Sequence, residues 1–266
     1  MRTVDEVEFP SGATQDFGND SNLCATCHQG RASGDTVTDA TPNSVVQDPD
    51  YDSFDFVNRH YYAAAAILMG TDATAHYEYT GRSYKGLNTY SAAHGSLVDC
   101  SSCHLRGSAD HSFEPQLADC SGCHQGITDF DELGQPFGGT NTDWDGNGTG
   151  ESYQTEINGR LGQLLTAIME YADTTLDSKI IYSGHSYPYF FHDTDGDGEV
   201  DPGEDIYPNR YRDFDRTLLG AAYNYHSAQD PCSDMHNYKY VLQALHDSLD
   251  QLDDGVQNDS VIGLRP

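Results

Sequence analysis

Three stretches set the architecture of this chain: Cys24-Ala25-Thr26-Cys27-His28, Cys100-Ser101-Ser102-Cys103-His104 and Cys120-Ser121-Gly122-Cys123-His124, here called the first, second and third motifs. Two intervening residues bring both thiols of a motif to one side of a helical turn, with an imidazole directly after them. Two thiols that add to porphyrin vinyl groups, beside an imidazole that binds iron, form the attachment site of a c-type haem. One such run would also fit a zinc knuckle or a thioredoxin-like redox pair, but three runs followed by histidine favour haem.

The three motifs therefore predict three covalently bound haems c. The thioether-forming residues are Cys24, Cys27, Cys100, Cys103, Cys120 and Cys123, and the proximal iron ligands are His28, His104 and His124. An iron bound on both faces needs a second axial ligand. Nine of the twelve histidines lie outside the motifs and the chain has only four methionines, so histidine is predicted on both faces. Because six-coordinate iron has no open position for a substrate, this ligation favours electron transfer over catalysis.

The chain is strongly acidic, with 43 acidic against 13 basic residues and a formal net charge of -30. This charge disfavours nucleic acid and anionic membranes as partners and favours cations, although solubility or a salty medium would explain it equally well. Only 36 per cent of the residues are hydrophobic, so we expect the apolar faces of the haems to supply much of the core.

The sequence contains no apolar run near the ~18 residues of a membrane span, and its longest, residues 61–69, is too short. No signal peptide is visible in the polar, acidic start of the chain. Because c-type haem is attached outside the cytoplasm, we expect an exported protein whose numbering begins near a mature terminus.

The sequence predicts a mainly α fold with extensive irregular loops and little β structure, organised around three haems. Residues 1–135 are expected to form the three-haem-binding region, and residues 136–266 a helical region with calcium-type loops, the two packed as one unit. Residues 1–59 are loop-like, and no convincing alternating strand pattern is present. The helices predicted from apolar spacing and glycine punctuation are 60–70, 156–172, 216–225 and 238–252.

Residues 193–204 match the twelve-residue calcium loop of helix–loop–helix proteins. Oxygen donors stand at positions 1, 3, 5, 9 and 12, glycine stands at the sharp turn, and position 7 offers its carbonyl. Pro202 and Gly203 make a complete helix–loop–helix hand unexpected. The predicted calcium ligands are Asp193, Asp195, Asp197, Glu199, Asp201 and Glu204.

A second run begins in the same way, and its candidate calcium ligands are Asp143, Asp145, Asn147 and Thr149. Its twelfth position is Gln154, and the nearest carboxylate beyond that belongs to Glu156. An Asx-rich turn that caps the following helix explains this run equally well.

Besides the three motifs, several short segments form a recognisable set: 58–61, 77–81, His94, 111–113, the Asp-rich glycine loop, 187–191, 222–225 and 236–237. Together they resemble multihaem c-type cytochromes, including those that polymerise into extracellular nanowires, and the resemblance extends over nearly the whole chain from about residue 20. It implies a multihaem cytochrome c fold and implies that His60, His94 and His111 are the distal iron ligands.

Other histidines stand in similar contexts, and His76, His185 and His192 are alternatives for the distal positions. Cys232 and His236 form a run that looks like a motif whose second cysteine has become methionine. We interpret His236 as a structural histidine or as a ligand donated across a subunit contact. Cys232 is interpreted as an unpaired thiol or a link between two chains.

The function expected from these features is electron transfer by a subunit of an extracellular filament, with calcium as an additional bound ion. Its partners would be further copies of the chain, other redox proteins or extracellular electron acceptors. A soluble periplasmic electron shuttle is the alternative, with a multihaem reductase less favoured because the sequence gives no sign of an open iron. We expect an extracellular or cell-surface location, with the periplasm as the alternative.

Overall fold

The computed structural model describes residues 4–18, 20–41, 55–60, 62–89, 94, 99–105, 113–135, 140–231 and 233–266. The helices within them are α1 Ser21–His28, α2 Gly34–Ala40, α3 Ala64–Met69, α4 Ser101–His104, α5 Leu117–Cys120, α6 Tyr153–Thr174, α7 Arg216–Ala228 and α8 Ser233–Asp254. The strands are β1 Val7–Glu8, β2 Thr14–Gln15, β3 Ile180–Tyr182 and β4 Phe190–His192. The prediction of a mainly helical fold with little β structure is confirmed.

Three C-terminal helices form the larger apolar core, because α6, α7 and α8 all pack against one another. On α6, Ile157, Leu164 and Ile168 are fully buried at the spacing of a single helical face. The apolar face predicted for α8 is also buried. Its residues are Val241, Leu242, Leu245 and Leu249.

A smaller core joins the N-terminal segments to α8. This core contains Val7 of β1, Phe9 just after β1, and Ala25 of α1. Apolar side chains of α3 and Tyr240 of α8 complete it. Helix α3 contacts both α1 and α8. The first motif, which lies in α1, is therefore connected to the long C-terminal helix through α3.

The three C-terminal helices extend beyond their predicted ends. Polar caps explain two of their N-termini: Ser152 accepts a hydrogen bond from the amide of Thr155 (3.3 Å) before α6, and Asp215 accepts one from Leu218 (2.7 Å) before α7. Both strand pairs are antiparallel, β1 with β2 and β3 with β4. Strands of two or three residues are too short to show an alternating pattern in sequence.

The helix predicted at residues 60–70 is shorter than expected. His60 has a positive φ of 48° and Ala63 is not helical, so α3 begins only at Ala64. Gly70, with φ 59°, ends the helix as predicted. Only glycine fits here, because a Cβ at this position would lie 2.2 Å from the carbonyl oxygen of Lys85. The prediction that residues 1–59 are loop-like was wrong for the parts that form α1, α2 and the β1–β2 hairpin.

Across the described residues, no helix combines the length and the apolar character needed to span a bilayer.

Candidate haem sites

The three motifs lie on short helical turns at the protein surface. The first motif ends α1, the second continues from Cys100 through α4, and the third begins at Cys120, where α5 ends. In each motif the first cysteine is half-buried and the second is exposed. Because residues three apart lie on the same side of a helical turn, both thiols of a motif are placed to reach one porphyrin edge.

The first and second motifs are neighbours in space. The hydroxyl of Ser21, at the start of α1, donates a hydrogen bond to the carboxylate of Asp99, which directly precedes the second motif. The same carboxylate accepts hydrogen bonds from the hydroxyls of Ser101 (2.7 Å) and Ser102 (3.0 Å). Asp99 therefore holds the start of α1 against the start of α4.

The charge of Asp99 strengthens this junction. Burial alone raises the pKa of Asp99, but the hydrogen bonds from Ser21, Ser101 and Ser102 outweigh it and lower the pKa to about 2. The carboxylate therefore remains ionised at neutral pH and accepts charge-assisted hydrogen bonds.

The thiols of Cys24 and Cys100 interact across the same junction. Burial is the main effect that raises the pKa of each thiol, so both are protonated at neutral pH. Haems attached through these two cysteines would be close neighbours.

The second motif presents its histidine in a form suited to metal binding. Nδ1 of His104 lies 2.7 Å from the carbonyl oxygen of Phe113. A carbonyl only accepts, so Nδ1 carries the proton and donates it, which leaves the lone pair of Nε2 for a metal. A hydrogen bond of this kind also fixes the orientation of a ligating imidazole.

Two pairs of histidine rings share one arrangement. The ring centroids of His94 and His124 are 5.9 Å apart with 9° between the planes. Those of His104 and His236 are 6.4 Å apart with 6° between the planes. Two imidazoles on opposite sides of one metal, each bound at about 2 Å, have their ring centroids roughly 6 Å apart.

Both separations fit an iron between the rings better than close ring stacking. In the closely stacked pair of Tyr153 and Tyr238 the ring centroids are only 3.6 Å apart. One histidine of each pair belongs to a motif, so two thiols and two imidazoles occur together at the second and at the third motif. The donor sets present there fit haem c.

At the first motif, no paired arrangement of the two predicted histidine ligands, His28 and His60, is seen among the ring contacts of the described residues. His28 and His60 are exposed, and the amide of Arg31 donates to the carbonyl of Arg59 (2.7 Å), which brings the residues after the first motif beside the residue before His60. The ring of His60 lies 6.4 Å from that of Tyr187. His111 and Cys232 lie outside the described residues.

Among the alternative histidines, His76 belongs to the core. It is fully buried with its ring 5.1 Å from that of Tyr240, and burial lowers its pKa to about 3. His185 is exposed, and the half-buried ring of His192 lies 4.8 Å from that of Tyr211. No histidine partner of the kind seen at the second and third motifs is recorded for these three side chains in the described part of the chain.

Two proteins of Geobacter sulfurreducens are similar to most of this chain. C-type polyheme cytochrome OmcB of strain DL-1 / KN400 is 30% identical over 259 residues, which covers 91% of this chain and 32% of OmcB. C-type polyheme cytochrome OmcC of strain ATCC 51573 / DSM 12127 / PCA is 29% identical over 259 residues, covering 91% of this chain and 31% of OmcC. This chain is similar over most of its length to polyhaem c-type cytochromes. The resemblance to multihaem c-type cytochromes is confirmed, and haem c is the cofactor that it implies.

This chain spans about a third of the length of OmcB and OmcC. No family model matches the chain, and no solved structure matches it. The similarity thus supports the class of protein and its cofactor, while the number of haems remains a prediction.

This chain also contains two Asp-rich loops that share one hydrogen-bond pattern. In the loop at 193–204, the carboxylate of Asp193 accepts from the amides of Gly196 (2.6 Å) and Gly198 (3.1 Å), and Glu204 closes the loop by accepting from the amide of Thr194 (2.7 Å). Carboxylate oxygens of Asp193, Asp195 and Asp197 lie within 4.8 Å of one another. Repulsion from the charge of Asp197 is the main effect that raises the pKa of Asp201, while Glu199 supplies its amide to Asp197.

The loop that begins at Asp143 repeats this pattern. Asp143 accepts from the amides of Gly146 (2.7 Å) and Gly148 (2.8 Å), and the closing acceptor is Glu156, which binds the amide of Trp144 (2.7 Å). Oxygens of Asp143, Asp145 and Glu156 lie within 4.8 Å of one another. Asn147 and Thr149 continue the turn, since the side chain of Asn147 accepts from the amide of Thr149 (2.8 Å).

Two residues that the sequence did not predict as ligands lie at these candidate sites: Glu156 at the second Asp-rich loop and His236 at the second motif. Glu156 lies two positions beyond the twelfth of its loop, so a fixed loop length excludes it from the ligand set. His236 is far from the second motif in sequence and only the fold brings it near His104. A search for the nearest carboxylate beyond the twelfth position would have identified Glu156. No local sequence pattern pairs His236 with His104.

We expect the hydrogen bond between Ser21 and Asp99 to stabilise the fold. In a double-mutant cycle of Ser21→Ala and Asp99→Asn, the expected coupling energy at neutral pH is about 1 kcal/mol, below the range for bonds to charged groups because Asp99 is only partly buried. The pKa of Asp99 is lowered by folding, so the charge-dependent part is present above pH ~4 and is lost as the pH falls towards 2. Urea denaturation followed by far-UV circular dichroism measures it, and a pH-independent coupling energy would contradict this account.

Proposed function

We propose that this chain transfers electrons through three covalently bound haems c whose irons are ligated by histidine on both faces. The observation that carries the proposal is the presence of two pairs of nearly parallel imidazole rings, with centroids 5.9 Å apart at the third motif and 6.4 Å apart at the second. When bound, each haem supplies a reversible one-electron centre. Because both axial positions are filled by side chains, the iron is shielded from substrates, which favours a carrier over an enzyme.

The polypeptide has distinct tasks in this function. The six motif cysteines fix each haem at one place and the motif histidines bind the irons from the proximal side. His94 is proposed as the distal ligand at the third motif, opposite His124, and His60 as the distal ligand at the first. For the second iron the structure offers His236, and the alternative is His111, which the sequence predicts as a distal ligand without assigning it to a particular iron. Asp99 keeps the first two attachment points adjacent, which keeps the distance between their haems short.

A filament subunit at the cell surface or outside the cell is the form of this function that we favour. Large apolar side chains are exposed beside the motifs: Leu23 is 57% exposed, Leu105 42% and Phe113 51%. A haem face or a neighbouring copy of the chain would cover such side chains. A soluble periplasmic shuttle is the alternative, in which the acidic surface steers the chain to basic redox partners. A multihaem reductase is less favoured because it requires an iron with one open face.

The two Asp-rich loops are proposed as calcium sites. The loop at 193–204 has the stronger claim, because its carboxylates converge and repel one another, and a divalent cation would remove this repulsion. In the second loop the buried guanidinium of Arg160 donates to the carbonyl of Trp144 (2.6 Å) and already supplies a positive charge near Asp145 and Glu156. We therefore expect weaker calcium binding there.

The haem assignment predicts three haems per chain and a defined effect of removing His94. His94→Ala should convert one of three irons from low-spin to high-spin, because it loses one strong-field imidazole. The pyridine haemochrome assay gives the haem count, and electron paramagnetic resonance gives the spin states. His185→Ala, which alters an exposed histidine, is the matched control. A wild-type count other than three, or an all-low-spin His94→Ala protein, would contradict the assignment.

Cryo-electron microscopy of the native holoprotein distinguishes the filament from the shuttle. We expect filaments with an unbroken series of haems along the axis, because exposed apolar side chains beside the motifs would be covered in an assembly. Discrete particles at all concentrations would favour the shuttle. An iron that lacks a distal ligand in the reconstruction would favour the reductase.

Calcium is expected to raise the melting temperature of the holoprotein. At a calcium concentration 100 times the dissociation constant, binding to the native state stabilises it by about 2.7 kcal/mol. The double substitution Asp195→Asn and Asp197→Asn should remove most of the calcium-dependent shift, since it removes two convergent charges. The double substitution Asp39→Asn and Asp173→Asn, at exposed positions on α2 and α6, is the control for the change of net charge. Equal calcium responses in all three proteins, measured by differential scanning calorimetry, would exclude this site.

A further inference from the structure

We propose that His236 is the distal ligand of the iron bound at the second motif, on the face opposite His104. This inference rests on the proposed haem-carrying function. It assigns an axial ligand outside the three distal histidines that the resemblance implies, none of which is assigned to this particular iron.

The geometry of the two rings carries the proposal. Their centroids are 6.4 Å apart and their planes differ by 6°. The hydrogen bond from Nδ1 of His104 to the carbonyl of Phe113 leaves Nε2 as the nitrogen that binds metal. Axial bonds of about 2 Å on both sides of an iron account for this separation of the rings.

The backbone at His236 is held in place from outside its own helix. Its carbonyl accepts a hydrogen bond from the side-chain amide of Asn88 (2.8 Å). The next residue, Asn237, interrupts the helical geometry of α8 (φ −166°, ψ 67°) and is buried. Its side-chain amide donates to the carbonyls of Gly86 (3.2 Å) and Leu68 (3.4 Å). His236 therefore lies in a separate first turn of α8, fixed to the 68–88 segment, which suits a ligand that must keep one orientation.

The pairing of the other histidines supports the same assignment. His94, which precedes the second motif in sequence, pairs with His124 of the third motif instead. The second iron therefore needs a different partner, and His236 is the histidine whose ring stands parallel to that of His104 at the required distance.

His236→Ala in the full-length holoprotein tests the proposal by spin state. We expect the variant to keep three haems, to lose about one third of its low-spin signal in electron paramagnetic resonance, and to regain it when imidazole is added. His111→Ala and His185→Ala should remain fully low-spin. If His236→Ala is fully low-spin, or if His111→Ala shows the loss instead, the two rings form an ordinary offset pair and the proposal is overturned.

A second variant covers failure of His236→Ala to mature. His236→Met keeps an axial donor at the position, and iron ligated by histidine and methionine has a higher reduction potential than iron with two histidines. A single redox transition shifted to higher potential, with the other two unchanged, supports the assignment, and three unchanged transitions overturn it. The haem count of the wild-type protein separates this outcome from the proposed function. A protein without three haems contradicts that function, whereas three low-spin haems that are indifferent to position 236 contradict only the ligand.

Discussion

The fold depends on a constraint at helix α8, which buries polar side chains as well as apolar ones. Gln243, Asp247 and Asp250 are almost completely buried on this helix. A buried polar group without a partner costs about 1–3 kcal/mol, so each needs a hydrogen bond from elsewhere in the chain. Gln243 accepts from the amide of Lys85 (2.7 Å), and the guanidinium of Arg82 binds Asp250 (2.9 Å). The irregular segment 77–89 is thereby fixed along α8.

The tyrosines of this irregular segment serve the same purpose. Tyr79 is buried, and its hydroxyl donates to Ser248 of α8 (3.1 Å). In the other direction, the hydroxyl of Tyr240 donates to Glu78 (2.9 Å). Each ring adds apolar area and each hydroxyl satisfies a polar group, which suits a chain that is poor in aliphatic residues. The contact between the first half of the chain and α8 is therefore both apolar and specific.

The sequence allowed the helix faces to be predicted, since these depend on local spacing, and the same kind of spacing underlies the proposed haem attachment sites. The apolar positions of α6 and α8 recur at helical intervals, and the three motifs are continuous runs. The end of the helix at Gly70 was also predictable, whereas its start at Ala64 was not, because the positive φ of His60 leaves no signal in composition. The burial of polar side chains on α8 has no local signal in the sequence, since their partners come from distant segments.

The candidate ligands show the same division. Imidazole as the ligand type followed from counting histidines against methionines, but which histidine faces which motif depends on the tertiary fold. His94 lies six residues before the second motif and yet stands beside His124 of the third. Likewise, Glu156 closes its loop from a position that a fixed spacing excludes. Which candidate ligand lies at which site thus depends on tertiary contacts that sequence spacing does not encode.

The neighbouring thiols of Cys24 and Cys100 have a consequence for the biogenesis of the protein. In a compartment oxidising enough to form disulfides, two adjacent thiols from different motifs are partners for each other before they are partners for a porphyrin. A cross-link between them would block two haems with a single bond, and the thioether reaction needs both sulfurs reduced. Haem attachment at the proposed first and second sites would therefore compete kinetically with oxidation. If the chain folded before its cofactors were attached, a thiol reductant would be needed to keep the thiols of Cys24 and Cys100 available.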